Sequence, residues 1–514
     1  MRSRFPGVAR LRGAARQYVN DLRLPSLAAD RRAFARGIAQ QNESLAALTV
    51  GGQASAPTYK VTQRQELPPL AWLCRREGAH FAFSGGQGVE LFDGGLFEGV
   101  WTGAFGDSGG LEQASHFGSG ALFGAVPLFL PPKHLLEAIY LLRDRRRGVD
   151  HISNSLCFCL AAAGIAPGHP FFAVVEAEAV DNTHAATRLG AAWGNPVIAS
   201  SSDFVLLRLG HNNFTVSAAG QIVITQRYTG RRYRDFDAYR RMLGDAVTAL
   251  RQNAESPLRR VPLAPVVTVS RGYDSPTVAA LAAERGCREA LTMRVEVGGG
   301  DDCGTDIAQA LGMHVREVGH AAGSHIPTLR FAYEGELRAK ALEFLATAGH
   351  GDDIAFVNFE PHLGNTMLFT GAWGDSIWER QSNVPSGLPV RTLFGKSLGE
   401  FRLRVGFAHV PLPCIGAFYP HSIARLSRSR AMAPYATGME GYDRPICRRI
   451  VEGAGVEGSA FGQKKVATAP NPLNRAALWA EAVTSVMARY SATVEDDAGA
   501  NGGEAATTGD SSRR

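Results

Sequence analysis

The chain has 514 residues, 45% of them hydrophobic and 20% charged, with 54 Lys and Arg against 48 Asp and Glu for a net charge of +6. That length exceeds a usual single core, so two or more domains are expected, and the balance is that of a globular protein. The small positive excess falls far short of a nucleic-acid-binding composition, and an odd count of 7 cysteines excludes a secreted disulfide framework.

The N-terminus lacks the apolar segment of a signal peptide, and no apolar run is long enough to span a bilayer. A cytoplasmic chain with no membrane partner is therefore expected. Four segments are read from the changes in texture. Residues 1–55 form an Arg/Ala-rich lead-in with helices expected around Ala14–Leu22 and Ala28–Gln40. Residues 56–230 are β-rich, with short apolar runs such as His80–Phe83, Val89–Phe92 and Gly94–Trp101 broken by glycine. Within them, Pro131–Leu142 reads as an amphipathic helix opened by prolines. His151–Ala163 reads as a strand end and a buried helix capped by Asn154 or Ser155. Val197–Gly210 and Phe214–Gln226 return to strand alternation around an Ala219-Gly220 turn. Residues 231–493 start with a helix over Tyr233–Asn253 and then alternate strand and helix. Strands are expected at Val266–Ser270, Ala290–Val295, Val315–Val318 and Asn365–Phe369, with helices at Thr305–Leu311 and Gly335–Ala348. Such alternation predicts an α/β fold: a C-terminal Rossmann-like parallel sheet with helices on both faces, preceded by a β-rich α+β domain. Residues 494–514 are small and polar and are expected to be disordered.

The chemistry concentrates where a β-branched run breaks at Ser270-Arg271-Gly272-Tyr273-Asp274-Ser275 and passes into a helical pattern. A strand, a tight turn and a helix N-terminus put backbone N–H groups and the positive end of a helix dipole at one point, which suits a phosphate. Taken alone, the local chemistry favours an ordinary strand-to-helix turn capped by Asp274 or Ser275. In a parallel sheet, ligands bind at the carboxyl ends of the strands, so this loop and Thr370–Ser376 are expected to share one crevice.

This hexapeptide resembles the pyrophosphate loop, Ser-Gly-Gly-x-Asp-Ser, of the ATP pyrophosphatase (PP-loop) superfamily, and most closely that of asparagine synthetases and β-lactam synthetases. Further landmarks follow in order: Gly300-Asp-Asp302, Ile307–His314, Leu368–Ser376, Arg404–His409, Pro445–Arg449 and Phe461–Lys465. The resemblance covers roughly residues 235–470. It implies ATP bound through Ser270, Arg271, Gly272, Tyr273, Asp274, Ser275 and Gly371, with Mg²⁺ held by Asp274 and Asp375. It also implies Lys464 or Lys465 as the catalytic lysine. The implied reaction activates a small-molecule carboxylate as an acyl-adenylate, releases pyrophosphate, and forms an amide with ammonia or another amine. Three positions depart from the family: Arg271 replaces the first loop glycine, Ala372 stands where Glu or Tyr is usual, and His409 stands where Asp is usual. Glu400, His409 and Tyr442 are the candidates for a substitute base. Arg2 stands where a glutaminase would place its cysteine nucleophile, so the β-rich segment is read as a degenerate glutaminase-like domain without glutamine hydrolysis. Two other readings remain: a PP-loop RNA-modifying enzyme, which would need a basic aromatic-rich accessory domain, and a non-catalytic nucleotide-binding protein.

Overall fold

The computed structural model describes residues 26–49, 55–134, 136–178, 196–294, 296–297, 300–319, 335–346, 353–380, 398–463 and 475–500. The expected helix Ala14–Leu22 lies outside them. The first described helix, Leu27–Ala46, is capped by Ser26 and runs along the edge of a sheet. There Asn42 accepts from the Ile224 amide at 2.7 Å and donates to the Ile224 carbonyl at 3.0 Å, pairing an edge that would otherwise be open.

The N-terminal region is two sheets. One has seven strands in the spatial order Thr58–Gln63, His80–Gly85, Trp72–Glu77, Val149–Ser153, Ile139–Asp144, Phe204–Leu209 and Val197–Ser200. Only its first pair is parallel. The other is antiparallel with six strands, in the order Ile222–Thr225, Asn213–Val216, Leu128–Leu130, His116–Leu122, Gly95–Trp101 and Glu90–Phe92. Alternation assigns the faces. Trp72, Cys74, Phe83, Leu141 and Ile152 of the first sheet join Val100, Phe117, Phe129 and Phe214 of the second in one core. The opposite face of the first sheet, with Leu73, Tyr140 and Leu142, packs on helix Leu156–Ala162 and on the C-terminal helix through Trp479, Val483 and Tyr490. Ser155 caps Leu156–Ala162 by accepting from the Phe158 amide, and Cys157 and Cys159 are buried free thiols.

The helix expected over Pro131–Leu142 is absent. Ile139–Asp144 is instead a central strand, paired on one side with Val149–Ser153 and on the other with Phe204–Leu209. A strand buried on both faces presents a continuous apolar run, which local periodicity cannot tell from a helix. The pairing on both edges decides the outcome.

Helix Phe236–Ala254 leads into a separate five-stranded, all-parallel sheet. Its spatial order is His314–Gly319, Glu289–Arg294, Ala264–Thr268, Thr366–Thr370 and Ala408–Pro411. Numbered by their place in the chain, these strands run 3-2-1-4-5, so the winding direction reverses between Ala264–Thr268 and Thr366–Thr370. Val267, Ala290 and Phe369 face one way, into the core shared with helices Phe236–Ala254, Asp274–Glu284 and Pro445–Gly453. Val266, Leu291 and Leu368 face the other way, onto Ala341, Val357 and Phe401 of the helical segments behind. Helices thus cover both faces, as a parallel sheet requires. The helix expected over Gly335–Ala348 is shorter, at Gly335–Leu342. The C-terminal helix runs from Arg475 to Ala500, so helix replaces the disorder expected from residue 494 as far as 500; residues 501–514 lie outside the described part.

Buried polar contacts tie the β-rich region to the parallel-sheet region. Arg402 donates to Glu98 at 2.7 Å and to Glu137 at 3.0 Å. Glu98 also accepts from the Ser119 amide and from Ser119 Oγ, so the pair is compensated by further hydrogen bonds. Among the described residues, no helix is long and apolar enough to cross a membrane.

Candidate functional site

The Ser270–Ser275 turn leaves the carboxyl end of the central strand and enters helix Asp274–Glu284. Among the described residues no side chain caps that helix, so the turn capped by Asp274 or Ser275 is not what forms. Ser275 Oγ lies 2.8 Å from Ser270 Oγ, which also accepts from the Gly272 amide at 3.3 Å. Asp274 instead turns sideways to Arg444, whose Nη1 donates to Oδ2 at 2.6 Å. Gly272 has no positive φ, and a Cβ there would meet only Ser270 Oγ at 3.6 Å and Tyr442 Oη at 3.9 Å. A Cβ would therefore fit there in ordinary van der Waals contact, so neither backbone nor packing requires a glycine at this position.

The second loop comes in from the adjacent strand. A Cβ on Gly371 would lie 2.7 Å from the Asp274 carbonyl carbon and the Ser275 nitrogen, and one on Gly374 would lie 2.4 Å from Asp274 Cγ. Only glycine permits this approach. Between them Trp373 takes φ +71 and starts the short helix Gly374–Ile377, whose first turn carries Asp375. The two loops therefore meet at the reversal point of the sheet, outside the strand ends, where such sheets bind ligands. Asp375 is exposed there, and Ala372 is half-buried.

Arg271 does not reach across the loop. Its guanidinium pairs with Asp306 at 2.8 Å, its amide donates to Asp302 Oδ1 at 3.1 Å, and its carbonyl accepts from the Gly462 amide at 2.8 Å. Tyr273 is buried. Its ring packs against Tyr442 at 4.9 Å and Phe461 at 5.9 Å, and its hydroxyl accepts from Arg448 at 3.2 Å. A Cβ on Gly462 would overlap the Tyr273 ring at 2.3 Å, so the closing segment is seated directly on the loop. Lys464 and Lys465 follow it in sequence but lie outside the described residues.

Electrostatics single out Asp274. Burial pushes its carboxyl up from 3.8 to about 7, against the pull of Arg444, with Asp375 and Glu379 pushing it further up. A fifth of the side chain reaches solvent, yet desolvation outweighs the ion pair. Its Oδ1 is buried with no hydrogen-bond partner among the described residues. Arg444 also lies 3.8 Å from Glu379. The sequence reading missed Arg444 and Glu379. Arg444 immediately precedes the Pro445–Arg449 landmark, which was the available signal; Glu379 has none.

The three base candidates separate. Glu400 is buried elsewhere, accepting from Ser155 Oγ at 2.5 Å and Tyr490 Oη at 2.7 Å. His409 is buried with Nε2 at 2.8 Å from Thr370 Oγ1, and burial, His134 and Arg402 hold it well below the usual histidine range. Only Tyr442 borders the loop.

Magnesium fits this donor set. Among the described residues, no three His, Cys, Asp or Glu side chains gather to hold a metal unaided. Mg²⁺ in nucleotide sites takes one or two carboxylates and completes its shell with phosphates and water. The orphaned Asp274 Oδ1, with Asp375 and Glu379 near enough to raise its pKa, is such a partial set. No protein-family model matches the chain, and no curated protein sequence matches it.

Proposed function

We propose that this protein is an ATP- and Mg²⁺-dependent, AMP-forming ligase of the asparagine synthetase-like PP-loop kind, built on a Rossmann-like domain. It activates a small carboxylate and forms an amide with ammonia or an amine. The observation that carries the reading is the closure of Gly371 and Gly374 onto Asp274 at the sheet's reversal point. In this reading the Ser270–Ser275 turn and the N-terminus of helix Asp274–Glu284 hold the pyrophosphate. Asp274 and Asp375 are the residues that would hold Mg²⁺, which when bound would neutralise phosphate charge. The carboxylate oxygen bonds to the α-phosphorus as the bond to pyrophosphate breaks, and the amine then displaces AMP. Arg444 keeps Asp274 in place before loading, and the resemblance assigns the catalytic lysine to Lys464 or Lys465. Mg²⁺ needs the Asp274 carboxylate, so its binding is opposed by the proton that burial favours there.

The test is pyrophosphate release from ATP across a panel of carboxylates with ammonia, using Asp274→Ala as control. Carboxylate-dependent release that vanishes in Asp274→Ala supports the reading. Absence of release together with absence of ATP binding overturns it. A second reading, a non-catalytic nucleotide-binding protein, is favoured by the ion pairs that already occupy Asp274 and Arg271. ATP binding without AMP under any carboxylate selects it.

A further inference from the structure

A second site lies away from the crevice, at the seam between the six-stranded sheet and the segment after strand Ala408–Pro411. It is a cavity of about 30 Å³ lined by Lys133, His211, Arg227 and Thr229 from the β-rich side and by Cys414 and Phe418 from the other. A buried water needs roughly 10–15 Å³ on this measure, so the space suits one or two small species and excludes a phosphate ester.

Its walls carry buried positive charge. Lys133 and Arg227 are 8% and 7% exposed, and among the described residues no carboxylate makes an ion pair with either. Lys133 Nζ donates to the His211 carbonyl at 2.8 Å and to Asn213 Oδ1 at 2.6 Å, which occupies two of its three protons with neutral acceptors. Arg227 donates to the Ala114 carbonyl and lies 3.4 Å from His116 Nε2, while its Nε has no acceptor among the described residues. His211 is 4% exposed; its Nδ1 donates to the Lys133 carbonyl at 3.1 Å, and its Nε2 has no partner among the described residues. It is held at φ +62, an uncommon backbone state for a residue with a Cβ, and its ring stacks on Phe418 at 4.6 Å. Burial and the neighbouring Arg227 push the Lys133 ammonium well below the usual lysine range, so the bare cavity disfavours the charges that line it. Glu112 pulls on both cations without forming an ion pair with either among the described residues, so their burial stays costly, and a small anion between them restores the balance.

The geometry points to a buried site for a monovalent inorganic anion of chloride or bromide size, held by Lys133 and Arg227 and closed by the Cys414–Phe418 segment. The anion acts as a staple between the β-rich region and the parallel-sheet region, independently of any chemistry in the crevice.

The test uses the full chain, freed of halide in a gluconate buffer, with thermal unfolding followed as chloride or bromide replaces gluconate at constant ionic strength. A saturable rise of roughly 2–4 °C in the midpoint is expected, as for any ligand that binds only the native state. The rise should disappear in Lys133→Met. An equal midpoint in gluconate and chloride overturns the site, as does an equal rise in Lys133→Met. Because that variant can fail to fold, crystals of the unaltered protein grown in bromide supply a second arm. An anomalous peak beside Lys133 and Arg227 supports the site, and a cavity without one overturns it.

Discussion

Arg444 reaches across from the segment before helix Pro445–Gly453 to place Nη1 2.6 Å from Asp274 Oδ2, leaving Oδ1 buried without a partner among the described residues. The pair sets a competition at one carboxylate. Burial and the two nearby acids favour a proton, Arg444 favours the charged form, and a divalent cation would also need that form. Mg²⁺ affinity should therefore rise as pH increases through about 7, the value to which Asp274 is pushed. Removing the guanidinium in Arg444→Met should move that midpoint roughly 1–2 pH units higher. Calorimetric titration of Mg²⁺ with ATP between pH 6 and 9 reads this directly. A midpoint unchanged by the substitution would show that Arg444 does not tune Asp274.

The same carboxyl links stability to pH. Its native pKa lies above the ordinary 3.8, so between 3.8 and about 7 the folded chain holds a proton that the unfolded chain has released. The stability this proton contributes is complete below about 3.8 and is lost as pH rises to about 7. Asp274→Asn cannot titrate, so the difference in unfolding free energy between it and the parent should change across that window and stay flat above it. Urea unfolding at a series of pH values measures the difference, and a pH-independent difference would contradict the raised pKa.

The approach of the two loops depends on missing side chains. A Cβ at Gly374 would come 2.4 Å from Asp274 Cγ, well inside contact distance. Gly374→Ala should cost about 1–3 kcal/mol through overpacking and should weaken ATP binding by displacing Asp274. Gly453→Ala is the control: a Cβ there meets nothing within 4 Å, so its stability and nucleotide affinity should be preserved. Equal behaviour of the two variants would mean that the loops yield without consequence.

Which of these features the sequence discloses follows from how local each signal is. The helix over Tyr233–Asn253 and the strands at Ala290–Val295 and Asn365–Phe369 appear close to their expected bounds, because period and breakers are written within a dozen residues. The approach of the two loops at the strand ends was legible, since alternation implies a parallel sheet. Pro131–Leu142 misled because its strand is defined by partners at Val149–Ser153 and Phe204–Leu209, the latter over sixty residues away. Arg444 and Glu379 escaped for the same reason. Arg444 meets Asp274 across 170 positions, and its one local mark is the Pro445–Arg449 landmark that it precedes. Tyr273 sits inside the loop motif, yet its ring serves packing against Tyr442 and Phe461, which only the fold reveals.

Glu400 gives the sharpest separation between a catalytic and a structural carboxylate. By sequence it is a candidate base, but its two oxygens accept from Ser155 Oγ at 2.5 Å and Tyr490 Oη at 2.7 Å. It thus joins the cap of helix Leu156–Ala162 to the C-terminal helix. Burial raises its pKa, while both hydroxyls hold it down. Glu400→Gln keeps the shape but replaces one acceptor oxygen with a donor, leaving one hydroxyl poorly matched in a buried site. The expected loss is about 1–3 kcal/mol of stability, seen in urea unfolding. Carboxylate-dependent pyrophosphate release measured on the folded variant should remain within a factor of about two, since the effect of such a distant hydrogen-bond change on the chemical step is small. A fall of about 100-fold, the scale of a lost general base, in a variant of unaltered stability would return Glu400 to the reaction.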